Sequence, residues 1–107
     1  MESFGEYIKR LRNEKGLNQT QLAAKIGLDS GGLSKIETGK KILKEDKLPL
    51  LAKIFKISID EIKKQYFSEK FADDCYKYKC PDTVFELAEQ KVKYIKTIKV
   101  EQGKLNF

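Results

Sequence analysis

Helix starts and helix stops follow one another so closely in the first forty residues that only short helices fit between them. Ser3-Phe4-Gly5-Glu6 has the pattern of a capping box, where a serine and a glutamate three residues on satisfy the first free N–H groups of a helix. Phe4, Ile8 and Leu11 then share one face at helical spacing, and Gly16 supplies the stop. Asn18-Gln19-Thr20-Gln21 repeats the device: Asn18 caps and Gln21 reaches back. Leu22, Ala23 and Ile26 form the stripe of this second helix, and Gly27 ends it. Asp29 is a good cap for a third, with Leu33 and Ile36 turned inward and Gly39 closing it.

The pattern continues downstream. A fourth helix is predicted from near Asp46, with Pro49 in the first turn, where a missing N–H costs nothing, followed by Leu50, Leu51, Ile54 and Phe55. Ser58-Ile59-Asp60-Glu61 is another capping box and opens a fifth helix with Ile62, Tyr66 and Phe67. Residues 68–79 either extend that helix or form a separate one, and Cys80-Pro81-Asp82 punctuates the chain. Thr83-Val84-Phe85-Glu86 caps a last helix running to about Glu101. Its apolar residues Val84, Ala88, Ile95 and Ile98, with Phe85, Leu87 and Val92 beside them, make a stripe broad enough to need a partner surface. Strand signals are scarce. The reading is all-α: a five-helix domain over 1–67 and a helical extension over 68–107.

Composition excludes several functions. The chain has 107 residues, no histidine and no tryptophan, so imidazole bases and the commonest metal ligand are absent. There is no glycine-rich phosphate loop and no Ser or Cys beside a plausible base, which argues against an enzyme, and no cofactor or metal is implied. The net charge is +6, and residues 1–67 carry 14 Lys/Arg against 9 Asp/Glu. An excess of that kind points to an anionic partner, nucleic acid or membrane surface. No apolar run reaches membrane-spanning length and no signal peptide opens the chain, so a cytoplasmic protein without membrane contact is expected. Cys75 and Cys80 then read as two reduced thiols; the competing reading, a redox switch, requires a lowered thiolate pKa.

Residues 18–39 carry the functional reading. A helix-turn-helix needs a small residue at the turn, here Gly27, and apolar residues that brace the two helices, here Leu22, Ile26, Leu33 and Ile36. It also needs an exposed face at the start of the second helix, where Ser30, Gly31, Ser34 and Lys35 fall. The bland alternative is an ordinary helical hairpin inside a core. N-Q-T-Q-L-A-A-K-I-G followed by L-S-K-I-E-T-G-K-K resembles the helix-turn-helix of the phage-repressor and Cro-like regulators, often called the XRE family, over about residues 4–66. The resemblance implies a repressor-like fold over those residues, to which the last helix is an addition, and a transcription regulator that binds double-stranded operator DNA as a homodimer.

It also implies roles. Gln19 matches a glutamine that contacts a phosphate and braces the recognition helix, with Thr20 beside it at the same helix start. Ser30, Gly31, Ser34 and Lys35 match positions facing bases or nearby backbone, Lys40 and Lys41 a basic loop on phosphates, and Arg12 and Glu37 a partly buried ion pair. The sequence departs from the family at Gly31-Gly32, where side chains are commoner. First-turn N–H groups have no intrahelical partner, and stripped of side chains they can approach a phosphate or base edge. Base reading then falls mainly to Lys35 and Ser34. The competing reading is a tolerated glycine pair.

The last helix has two readings as well. Val84, Ala88, Val92 and Ile95 either pair with a second copy across a twofold axis or fold back on the fifth helix. A different class of function also fits: an antitoxin whose residues 68–107 grip a protein toxin. Lys91, Lys93, Lys96, Lys99 and Lys104, spread among glutamates, read as a solvated face.

Overall fold

The computed structural model describes the backbone of residues 1–106 and the side chains of residues 1–100. Six α-helices and a 3-10 turn account for its regular structure: α1 (Phe4–Glu14), α2 (Gln19–Lys25), α3 (Ser30–Glu37), the 3-10 turn Glu45–Lys47, α4 (Leu48–Phe55), α5 (Ile59–Lys77) and α6 (Val84–Asn106). No strand occurs among the described residues. Two units divide the chain, Met1–Ala72 and the residues from Asp73 onward. Residues 68–77 continue α5 rather than starting a new helix, and the helix expected from Asp46 begins at Leu48, after the 3-10 turn.

Helix starts follow the local chemistry. Ser3 and Glu6 exchange both bonds of a capping box, as do Asn18 and Gln21. The Asp29 side chain accepts from the Gly32 N–H. Ser58 Oγ accepts from the Glu61 N–H, but the Glu61 carboxylate pairs with Lys64 at 2.8 Å and accepts from Gln65.

Helix ends share one device. In each of α1 to α5 a residue just past the helix takes a left-handed backbone: Gly16, Gly27, Gly39, Lys56 and Lys79, with φ between 53° and 79°. The next residue's N–H then returns to a carbonyl five positions back. These bonds are Leu17 to Arg12 (3.1 Å), Leu28 to Ala23 (2.8 Å), Lys40 to Lys35 (2.8 Å), Ile57 to Ala52 (3.0 Å) and Cys80 to Cys75 (2.9 Å). This is the Schellman motif, and it sets the two residues of each pair side by side.

The core of the first unit is built largely from the stripes read in the sequence, with Leu48 added to them. Ile8, Leu22, Ile26, Leu33, Leu48, Leu51 and Ile62 are all but fully buried, each contributing about 1.5–3 kcal/mol of apolar burial. Phe67 and Leu50 instead stay partly exposed, and Phe67 stacks edge-on against Tyr66 at 4.9 Å between ring centres.

Candidate nucleic-acid interface

The helix-turn-helix is set by three constraints. Gly27, at φ 74°, makes the turn between α2 and α3 in a conformation that costs a side-chain-bearing residue about 1–2 kcal/mol. Leu22, Ala23, Ile26, Leu33 and Ile36 are buried and seat both helices. The third constraint is a charged clasp. The Arg12 guanidinium donates to both Glu37 oxygens, at 2.7 and 3.0 Å, and to the Leu17 carbonyl at 3.0 Å. Gln19 Nε2 donates to the same carboxylate at 3.0 Å. Three helices thus meet on one carboxylate. The pair expected to be partly buried is almost fully enclosed, with side-chain exposures of 9% for Arg12 and 2% for Glu37. Arg12 comes from the last turn of α1 and Glu37 from the last turn of α3, with Gln19 at the start of α2 closing over the same carboxylate.

Gly5 performs a role that spacing did not reveal. A Cβ there would crowd the Ile36 carbonyl and stand 2.7 Å from that of Glu37. The backbones of α1 and α3 therefore touch at Gly5, which fixes the depth of α3.

What remains outside is the face that can meet a ligand. Ser30, Gly31 and Lys35 are exposed and Ser34 is half-buried. Thr20 is exposed at the start of α2, where Gln19 is half-buried by its bond to Glu37. The glycine pair splits into two cases. A Cβ on Gly32 would lie 3.0 Å from the Asp29 carboxylate that caps the helix, so the cap itself favours glycine there. At Gly31 the same atom lies 3.6 Å away, an ordinary contact, and packing leaves room for a side chain.

The basic side of the face comes from the end of α3. The Schellman bond from Lys40 to Lys35 brings these two lysines together, and the Lys41 N–H reaches the same carbonyl at 3.2 Å. Lys40 and Lys41 are exposed. The loop that carries them is anchored by Leu43, which is buried and whose carbonyl accepts from the Tyr66 hydroxyl. Burial, and then nearby Glu45, push the Tyr66 hydroxyl above its ordinary range, so it stays a donor at neutral pH. Lys47 Nζ lies over the turn, 3.2 Å from where a Cβ of Gly27 would stand. Leu43 and Lys47 had no periodic signal, because Leu43 lies in a loop and Lys47 in a three-residue 3-10 turn. Ser30, Gly31, Ser34, Lys35, Lys40 and Lys41 thus gather around α3, while Arg12 and Glu37 lie beneath it.

Comparison with known proteins agrees with this geometry. The helix-turn-helix model HTH_3 matches residues 8–62. The chain belongs to the XRE-type helix-turn-helix family. A HTH-type transcriptional repressor, RghR of Bacillus subtilis (strain 168), is 31% identical over 96 residues, covering 88% of this chain and 69% of that protein. The HTH-type transcriptional activator BcrR of Enterococcus faecalis is 36% identical over 59 residues, or 55% of this chain and 29% of that longer protein. A solved SinR protein/SinI protein complex contains a chain of the same fold, with a TM-score of 0.50, 23% identity, and coverage of 88% of this chain and 98% of that one. This helix-turn-helix protein is a DNA-binding transcription regulator, of a family that is not enzymatic.

The second unit carries the other predicted residues. Val84 and Ala88 are half-buried, while Val92 and Ile95 are each 50% exposed. Lys91, Lys93, Lys96 and Lys99 are exposed, with Lys93 paired to Glu89 at 3.0 Å; the Lys104 side chain lies outside the described residues. Among the described residues no helix is long and apolar enough to cross a membrane, and no three potential ligands gather around a metal position.

Proposed function

We propose that this protein is a repressor that binds a DNA operator as a homodimer, with α3 in the major groove and α6 as the assembly element. The observation that carries the reading is the outer face of α3: a first turn stripped to Ser30 and Gly31, with Lys35 and Lys40 locked side by side one turn later. Bare first-turn N–H groups and a helix dipole suit a phosphate or base edge. A lysine at Lys35 suits guanine O6 and N7, with Ser34 beside it, while Thr20, Gln19, Lys40 and Lys41 are placed for phosphates. The repressing direction follows the RghR relative, a transcriptional repressor by name.

Residues 1–72 then act as the reading module and the residues from Asp73 onward as the joining one. A single recognition helix gives weak selectivity, whereas a dimer reaches two half-sites about 34 Å apart. Val84, Ala88, Val92 and Ile95 on α6 would supply the twofold contact, since two of them remain half exposed in the single chain.

The test is fluorescence anisotropy with the DNA upstream of the protein's own gene against a scrambled duplex, across a salt series. A preference of about 10³-fold or more that persists as salt rises supports operator binding. Equal, steeply salt-dependent binding to both duplexes overturns it. Sedimentation of the wild type and of Ile95→Asp tests the dimer. A wild type that sediments as a monomer refutes it and moves α6 to a protein partner such as a toxin.

A further inference from the structure

Each pair joined by a Schellman bond is brought into side-chain reach, and in α5 both members are cysteines. The Cys80 N–H donates to the Cys75 carbonyl at 2.9 Å and the Lys79 N–H to Tyr76 at 3.3 Å. Lys79 holds the left-handed turn at φ 53°. The two thiols are near enough for Cys80 to act on the Cys75 thiol. Cys75 is buried and Cys80 half-buried, and they are the only cysteines in the chain. We propose that Cys75 and Cys80 are an oxidative modification site, a dithiol held face to face by the end of α5 that peroxide closes to an intrachain disulfide and a small thiol reopens.

The geometry assigns an order to the two sulfurs. Burial first, then the neighbouring Cys80 and Asp74, push the Cys75 thiol above its ordinary range, so pairing and access, rather than the lowered thiolate pKa expected of a redox switch, single out this site. Cys80, the more accessible sulfur, therefore meets the oxidant. Its thiolate takes one oxygen of hydrogen peroxide as the O–O bond breaks, hydroxide leaves, and Cys80 becomes a sulfenic acid. Cys75 then attacks the Cys80 sulfur. An S–S bond forms, the S–O bond breaks, and the displaced hydroxide leaves with the Cys75 proton as water. Two thiols are oxidised by two electrons in all, and one peroxide is reduced to two waters. Because the backbone bond already holds the two residues together, closure brings the sulfurs to about 2.05 Å across a turn that is in place. The bond would staple the residues between α5 and Pro81 in their present turn. In a reducing compartment such a bond is transient and belongs to sensing rather than to structure.

The test uses the full reduced chain treated with hydrogen peroxide at neutral pH, then maleimide, with intact mass and a non-reducing gel as readouts. The expected product has lost two hydrogens, adds no maleimide, runs as a single chain and regains both thiols with dithiothreitol. Two maleimides still added, stable oxygen adducts, or only cross-linked chains overturn the proposal. The order is tested by dimedone, which traps sulfenic acids. Cys75→Ser should give an adduct at Cys80, and Cys80→Ser little or none at Cys75; the reverse pattern overturns the assigned roles.

Discussion

Replacing Arg12 with methionine keeps much of the side chain's bulk and removes its charge and all three of its hydrogen bonds. Glu37 is left with the 3.0 Å bond from Gln19, 2% exposed to water, and the Leu17 carbonyl loses its guanidinium donor. Removing one partner of a buried pair costs about 3–5 kcal/mol, chiefly because the surviving charge stays buried. A domain holds roughly 5–15 kcal/mol in total, so Arg12→Met should remove a large share of it. With a urea slope of about 1–2 kcal/mol/M, the unfolding midpoint should fall by about 1.5 M or more. The double variant Arg12→Met/Glu37→Leu separates charge from packing. It should recover most of the loss, since an apolar replacement of a buried pair is often neutral or better. The reasoning is refuted if the single variant loses less than about 1 kcal/mol, or if the double variant is less stable than the single.

Four further outcomes follow from the same geometry. Gly5→Ala should destabilise the protein by about 1–3 kcal/mol in thermal or urea unfolding, because its Cβ meets backbone of α3 rather than a movable side chain. Lys35→Ala should cost about 1–3 kcal/mol on the operator and relax its selectivity, whereas Lys40→Ala should weaken all duplexes alike and lower the salt slope by about one. Gly31→Ala should leave the unfolding midpoint near wild type yet reduce operator affinity; unchanged affinity would show that the bare first turn has no role in binding. Lys56→Gly should raise stability by up to about 1 kcal/mol, since its left-handed backbone, at φ 55°, suits glycine better than lysine.

Most of the fold was legible because helix starts are written in short range. The boxes at Ser3 and Asn18 and the cap at Asp29 each span three residues, and the structure uses all three as read. The glycine stops at 16, 27 and 39 were legible for the same reason. The stops at Lys56 and Lys79 were not, because lysine, unlike glycine, gives no sign of a left-handed backbone. In the candidate site, the exposed residues of α3 followed from periodicity and from family resemblance. Gly5 did not, since a glycine inside a capping box reads as a local concession, and only the approach of α3 twenty-five or more positions later gives it a purpose. Leu43 acts from a loop and Lys47 from a three-residue 3-10 turn, both too short to show a period.

The repeated helix ending has a kinetic meaning. Each of the first four stops closes through a bond reaching back only five positions, so it can form as soon as its own helix does, without waiting for distant chain to arrive. Gly5, the Arg12–Glu37 clasp, the Phe4–Glu69 bond and the Tyr66–Leu43 bond, by contrast, wait for far-off partners. Chains rich in such local closures fold in about microseconds to milliseconds. A newly made copy of Met1–Ala72 would therefore bury its apolar stripes quickly, leaving little time for exposed segments to meet those of other chains.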